Sequence, residues 1–248
     1  MPNPTAHLGL ALEALDRLGL PVLEQNLGSY LLGSASPDMR IVTRQTRDQT
    51  HFASLDSTTV DVGVLEMLRQ YPRLAKAGEL SGATQAFLAG YVTHLVADQV
   101  WIMDIYRPYF GNRQVFADPI EGNVLDRALQ LDLDRHDGHL WKKALPLLDG
   151  VEERIEVEFI PPAALKEWRE WLQGYGGREF TWERLHFLAL RRQGPDADAL
   201  AKTVADRFLA SVPEGLAGIY QRVPPEKVAR FRQRAIAEFT RLIQEHLR

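Results

Sequence analysis

The chain has 248 residues and a formal net charge of −4, with 45% hydrophobic and 25% charged residues; its pI is near 6.0. The length predicts one large domain over 1–248, and the acidic balance excludes the basic stripe of a duplex-binding protein. There is no cysteine, so disulfides and thiolate metal sites are excluded and any metal falls to His, Asp, Glu or backbone groups.

"MPNPTAHLGLALEALDRLGL" lacks a basic n-region. Its apolar residues Leu8, Leu12, Leu15 and Leu18 recur at helical spacing, which predicts an amphipathic helix over 5–19 rather than a signal peptide. No apolar run is long enough for a transmembrane helix, so the expectation is a cytoplasmic protein. A second helix is predicted over 22–32. "GSASPDMRIVTRQTRDQTHF" (33–52) has no clear period and contains Pro37, so it reads as a long loop of the kind that often carries function. Helices follow over 59–71 and 82–106, the latter starting after Ser81-Gly82 and ending before Pro108.

"PYFGNRQVFADP" is a connector. Helices are predicted over 119–135 and 138–148. In "VEERIEVEFIPP" the alternation of Ile155, Val157 and Phe159 fits a short strand or an irregular edge. Helices over 163–173, 179–193, 196–210 and 225–247 complete the set. "GYGG" serves as a turn, and "GPDAD" as a stop and restart with Asp196 as N-cap. The expected fold is all-α, with about eight or nine helices in one domain. In the last helix Val228, Phe231, Ile236, Phe239 and Ile243 are expected to pack on the body rather than on a membrane surface.

"AGYVTHLVADQVW" places His94 and Asp98 at i and i+4 on one face of the most apolar helix. For an isolated pair, the plain reading is a hydrogen bond in the core. His7, Asp38 and His51 change that reading. Each alone is an ordinary helix, turn or loop residue. Together with His94 and Asp98 they make an ordered series of imidazoles and carboxylates suited to zinc.

The blocks "TAHLGLALEAL", "LLGSASPD", "TRDQTHF" and "LAGYVTHLVADQVW" resemble the zinc-dependent phospholipase C family, whose relatives include single-strand-specific nucleases. The resemblance implies an all-α domain of that type, a polynuclear zinc cleft and hydrolysis of a phosphate ester. The substrate would be a phospholipid head group or a nucleotide. By the same resemblance Asp38, His51 and His94 hold one ion with Asp98. Asp98 bridges to a second ion shared with His7, and Asp38 is the candidate general base. Two such ions would activate a water and neutralise phosphate charge. Iron or manganese suits the same donors.

The pattern departs from the family at a third ion. Six residues after Asp98 stands Asp104 instead of histidine, and no later H-x-x-x-E exists. Asp104 is the expected substitute ligand. Asp132 with His136, Glu121 and Asp126 are weighed as further donors but read as solvated helix positions. The family's amino-terminal ligand is not expected here. His139, His186 and His246 read as surface or structural residues. Trp141, Trp168, Trp171 and Trp182 are read as core or groove. Trp101, one turn beyond Asp98, is expected to wall the cleft, with Tyr106, Tyr109 and Phe110 beside it. Arg44 and Arg47, between two proposed ligands, are solvated charges or a phosphate clamp, since guanidinium matches phosphate oxygens bidentately. The altered third site leaves open a second function, a non-catalytic metal- or ligand-binding domain.

Overall fold

The computed structural model of the chain describes residues 1–190 and 195–247. The described residues are all-α, 79% helical and without strands. Helix α1 (Pro4–Leu18) begins with a proline, whose missing N–H would have no partner there in any case. It stops at Gly19, whose φ of 57° is left-handed and whose N–H reaches the Leu15 carbonyl. The helix predicted over 22–32 is two, α2 (Pro21–Gln25) and α3 (Leu27–Ala35), meeting at Asn26.

The predicted loop over 33–52 is mostly helical. After α3 comes a 3₁₀ turn over Ser36–Met39, then α4 (Arg40–Thr43) and α5 (Arg47–His51). Each piece is too short to display an apolar period, so the sequence looks irregular there. Helix α6 (Val62–Gln70) follows.

Helix α7 (Gly82–Trp101) is the axis of the molecule. Ser81 caps it by accepting the Thr84 N–H at 3.2 Å. It is buried along nearly its whole length, which explains its apolar character on all sides. Helix α3 lies directly against it because both carry glycine at the contact. A Cβ at Gly33 would lie 2.0 Å from the Phe87 carbonyl oxygen, and one at Gly90 2.0 Å from that of Tyr30. After Trp101 the helix does not end before Pro108, as expected, but widens into a π-helix over Ile102–Phe110. The Gly111 N–H reaches the Tyr106 carbonyl at 2.7 Å.

Helix α8 (Pro119–Asp137) is capped by Asp118, whose Oδ1 accepts the Ile120 N–H at 2.7 Å. The helix predicted over 138–148 is broken into 3₁₀ turns around α9 (Trp141–Ala144). "VEERIEVEFIPP" forms no strand. Val151–Arg154 is a 3₁₀ turn, and Phe159 packs with the rings of Phe52, Tyr71 and Tyr91. The alternation there records burial of single side chains, not sheet pairing.

Helix α10 (Pro162–Gly176) absorbs most of the predicted "GYGG" turn. Helix α11 (Arg184–Ala189) is a short part of the helix predicted over 179–193. The end of that prediction, with the glycine of "GPDAD", lies outside the described residues. Helix α12 (Pro195–Ala210) holds Asp196 in its first turn rather than before it. Helix α13 (Val212–Arg222) has no counterpart in the sequence reading. Helix α14 (Pro225–His246) packs on α7 and α1 and buries Val228, Phe231, Ile236, Phe239 and Ile243. The hydrophobic cluster runs from Ala6 to Leu247. Among the described residues no helix is long and apolar enough to cross a membrane.

Candidate metal centre

His94 and Asp98 project from the C-terminal half of α7 with no solvent contact of consequence. The glycine-mediated approach of α3 brings the Ser34 carbonyl to 2.9 Å from His94 Nδ1. A carbonyl only accepts, so Nδ1 carries the proton and Nε2 of the neutral ring keeps its lone pair. Tyr30, on the same helix, ties α3 to α1 by donating its hydroxyl to the Ala11 carbonyl at 3.0 Å. Helix α1 in turn lays the His7 ring on the His94 ring, with centroids 3.6 Å apart and planes 11° from parallel.

His51 arrives from the end of α5. That short helix is started by Gln49 Oε1, which accepts the Thr46 N–H at 2.9 Å. It is fastened to α7 by the Tyr91 hydroxyl, which donates to the Thr50 carbonyl. It ends at Phe52, whose φ of 54° is a left-handed conformation that costs a side-chain residue about 1–2 kcal/mol. Packing of the Phe52 ring with Tyr71 and Phe159 offsets that strain. Thr50 Oγ1 lies 2.9 Å from His51 Nδ1 and 3.4 Å from the Arg47 carbonyl. With the hydroxyl donating to that carbonyl, Nδ1–H donates to Thr50 and His51 Nε2 also presents a lone pair. Farther on, Arg107 donates to the Leu55 and Ser57 carbonyls and holds the segment after His51.

The imidazoles converge on one carboxylate. His7 Nε2 is 3.3 Å from Asp98 Oδ1, His51 Nε2 is 3.2 Å from Asp98 Oδ2, and His94 Nε2 is 3.8 Å from the same Oδ2. Asp38, on the 3₁₀ turn, stands 3.8 Å from His51 Nε2 and keeps 13% of its side chain exposed. Two groups therefore have ligand atoms close enough to share an ion: His7, His94 and Asp98, and Asp38, His51 and His94.

Burial pushes the His94 and His51 imidazoles down from their ordinary value; the nearby His7 adds to this for His94, and Arg47 adds to it for His51. Burial alone would raise the Asp98 carboxyl. His94, His51, His7 and Arg47 outweigh it and hold the group well below the usual carboxylate range.

Buried His7 Nδ1 and Nε2, His51 Nε2, His94 Nε2 and Asp98 Oδ1 have no hydrogen-bond partner. Native interiors seldom leave such atoms unpaired. Three imidazoles and two carboxylates, without thiolate, are a donor set that fits zinc.

Other sequence expectations fall elsewhere. Asp104 joins neither group; the π-helix carries it, and Arg234 Nη1 takes its carboxylate at 2.5 Å. Trp101 does not wall a cleft. It is fully buried, donates Nε1–H to Asp126 Oδ1 at 2.9 Å and meets Phe231 edge-on. Phe110 is core, stacked on Phe116, and the Tyr106 hydroxyl donates to Asn123 at 2.7 Å.

Asp126 and Asp132 are buried rather than solvated. Asp126 also accepts from Gln130, and Asp132 from Arg135 and Tyr220. Glu121 pairs with Arg207, and the exposed His136 bonds the Asp132 carbonyl. His186 pairs with Glu183 and Asp206, and His139 is exposed. Trp141 and Trp168 are buried, with Trp171 stacked on Trp168 and Trp182 against Phe208. Arg44 is exposed and left-handed, with φ 60°. Arg47 is not a free loop charge, because both its Nη atoms reach Asp98 Oδ2, at 3.3 and 3.2 Å.

The Ser34 backbone carbonyl and the Thr50 hydroxyl orient two of the imidazoles, and spacing alone marks neither residue as functional. Their presence inside "GSASPD" and "THF" was the available signal.

No curated protein and no solved structure matches the chain. Over residues 6–101, the stretch that contains all five converging side chains, the chain matches the model of the family described as zinc dependent phospholipase C.

Proposed function

We propose that the chain is a zinc-dependent phosphoric ester hydrolase resembling phospholipase C, working as one domain over 1–248. One observation carries the reading: buried imidazole nitrogens without hydrogen-bond partners stand around the buried Asp98 carboxylate. One ion would be held by Asp38, His51 and His94 with Asp98 beside them, and a second by Asp98 and His7, to which His94 also lies close. His94 has one free lone pair, since Nδ1 is committed to Ser34, so it serves one ion only. Asp98 offers one oxygen beside His7 and the other beside His51, so it would be the residue shared by the two ions. Iron or manganese suits the same donors.

Zinc held by these residues would supply a water of lowered pKa and neutralise charge on phosphate oxygens. The chain's own residues do the rest. Burial keeps His51 and His94 neutral, the state in which imidazole ligates. Asp38 is the acid of the set that meets solvent, which supports assigning it the role of accepting a proton from an attacking water. The substrate class is a phosphate ester, either a phospholipid head group or a nucleotide. Stable duplex binding is not part of the reading, given the net charge of −4.

The test incubates zinc- or manganese-loaded protein with chromogenic bis-phosphodiester and monoester substrates. Hydrolysis that is lost on Asp38→Asn while metal content stays supports the hydrolase. A second reading, a metal-binding domain without turnover, is favoured by Asp104 being taken by Arg234 instead of standing with the ligands. Bound metal with no hydrolysis of any substrate selects that second reading.

A further inference from the structure

Arg47 occupies the same carboxylate oxygen that a metal would need. Its guanidinium crosses from α5 to α7 and places Nη1 and Nη2 at 3.3 and 3.2 Å from Asp98 Oδ2. His51 Nε2 stands 3.2 Å from that oxygen and His94 Nε2 3.8 Å. Asp98 is buried, whereas Arg47 keeps 14% of its side chain exposed, close to the 13% of Asp38. Arg47 Nε is buried without a partner, and both Nη atoms reach the same Asp98 oxygen. A guanidinium is always charged. A dication on Oδ2 and a guanidinium on Oδ2 repel at close range in a site from which water is largely excluded.

We propose that Arg47 is an exchangeable counter-ion: it neutralises Asp98 in the metal-free protein and is displaced to the solvent side when metal binds. There its forked N–H groups face the oxyanion of a bound phosphate. The inference rests on the reading of the five side chains as metal ligands. Two consequences separate it from a plain salt bridge. Arg47 lowers metal affinity, because metal must first break its contact with Asp98. It also makes anion binding depend on metal, because only the displaced guanidinium is free to pair with phosphate.

Zinc affinity is measured by titration without substrate in wild type, Arg47→Met and Arg47→Lys. Arg47→Met, similar in length but uncharged, is expected to bind zinc about tenfold more tightly. Arg47→Lys, shorter and without the fork, is expected between wild type and Arg47→Met, and it carries the test if the methionine variant does not fold. Inorganic phosphate is expected to bind the zinc-loaded wild type and to lose about tenfold on zinc-loaded Arg47→Met.

Zinc affinity equal to or below wild type in the folded variants overturns the proposal. So does phosphate binding that ignores both zinc and residue 47. Neither readout requires turnover. A protein that binds zinc more tightly without Arg47 yet hydrolyses nothing sinks the hydrolase and keeps this inference.

Discussion

His94 donates Nδ1–H to the Ser34 carbonyl across 2.9 Å, from one helix to another sixty residues away in sequence. That bond sets the ring's tautomer and its aim. It exists because α3 and α7 touch through Gly33 and Gly90. Gly90→Ala would put a methyl group 2.0 Å from the Tyr30 carbonyl oxygen, a backbone atom that cannot swing aside. The expected cost is about 3 kcal/mol or more of stability, together with weaker zinc binding as Ser34 and His94 separate. Urea unfolding and zinc titration check both. A variant with wild-type stability would mean the two helices have slack at this contact.

Thr50→Val keeps the shape of the side chain and removes the hydroxyl beside His51 Nδ1. The expected result is a folded protein whose zinc affinity falls about tenfold, the usual effect of losing a group that orients a metal-binding histidine. Undiminished affinity would show that Thr50 does not aim the ring.

Asp104→Asn tests the reassignment of that residue. Its ion pair with Arg234 has side chains 29% and 39% exposed, so solvent screens it. Stability should change by less than about 1 kcal/mol. Zinc per chain, read by elemental analysis, should not change. Loss of an ion would return Asp104 to the ligand set.

Asp134 gives the fold a pH dependence of its own. Burial raises its carboxyl to about 7 from 3.8, despite the Asn3 amide, the Tyr175 hydroxyl and the Arg184 charge, which pull the other way. The native state therefore holds this proton more tightly than the unfolded chain does. The stabilisation is complete below pH 3.8 and is lost as pH rises to about 7. From pH 5 to pH 8, wild type should lose about 3 kcal/mol relative to Asp134→Asn. Urea midpoints at the two pH values measure this, and parallel losses in both proteins would refute it.

Where one helix sufficed, the sequence was legible. His94 and Asp98 share a face because the α-helical step places i and i+4 together, and their apolar neighbours announced a buried helix. Extrapolating that face failed beyond Trp101. The backbone passes into a π-helix at Ile102, the angle between residues changes, and Asp104 turns to Arg234. Trp101 lies one turn past Asp98, as the spacing says. What covers it is α14 from the other end of the chain, through Phe231. The segment 33–52 hid its short helices because none is long enough to repeat a pattern.

By itself the sequence determined an all-helical chain without thiol chemistry, its imidazoles and carboxylates in family-like order over the first hundred or so residues. Only the tertiary structure decided that His7, Asp38, His51, His94 and Asp98 face one another and that Arg47 sits on Asp98. The reason is physical. Periodicity reports the environment of a residue along its own helix, whereas these contacts depend on how closely separate helices approach, and that is set by glycines and packed side chains distant in sequence.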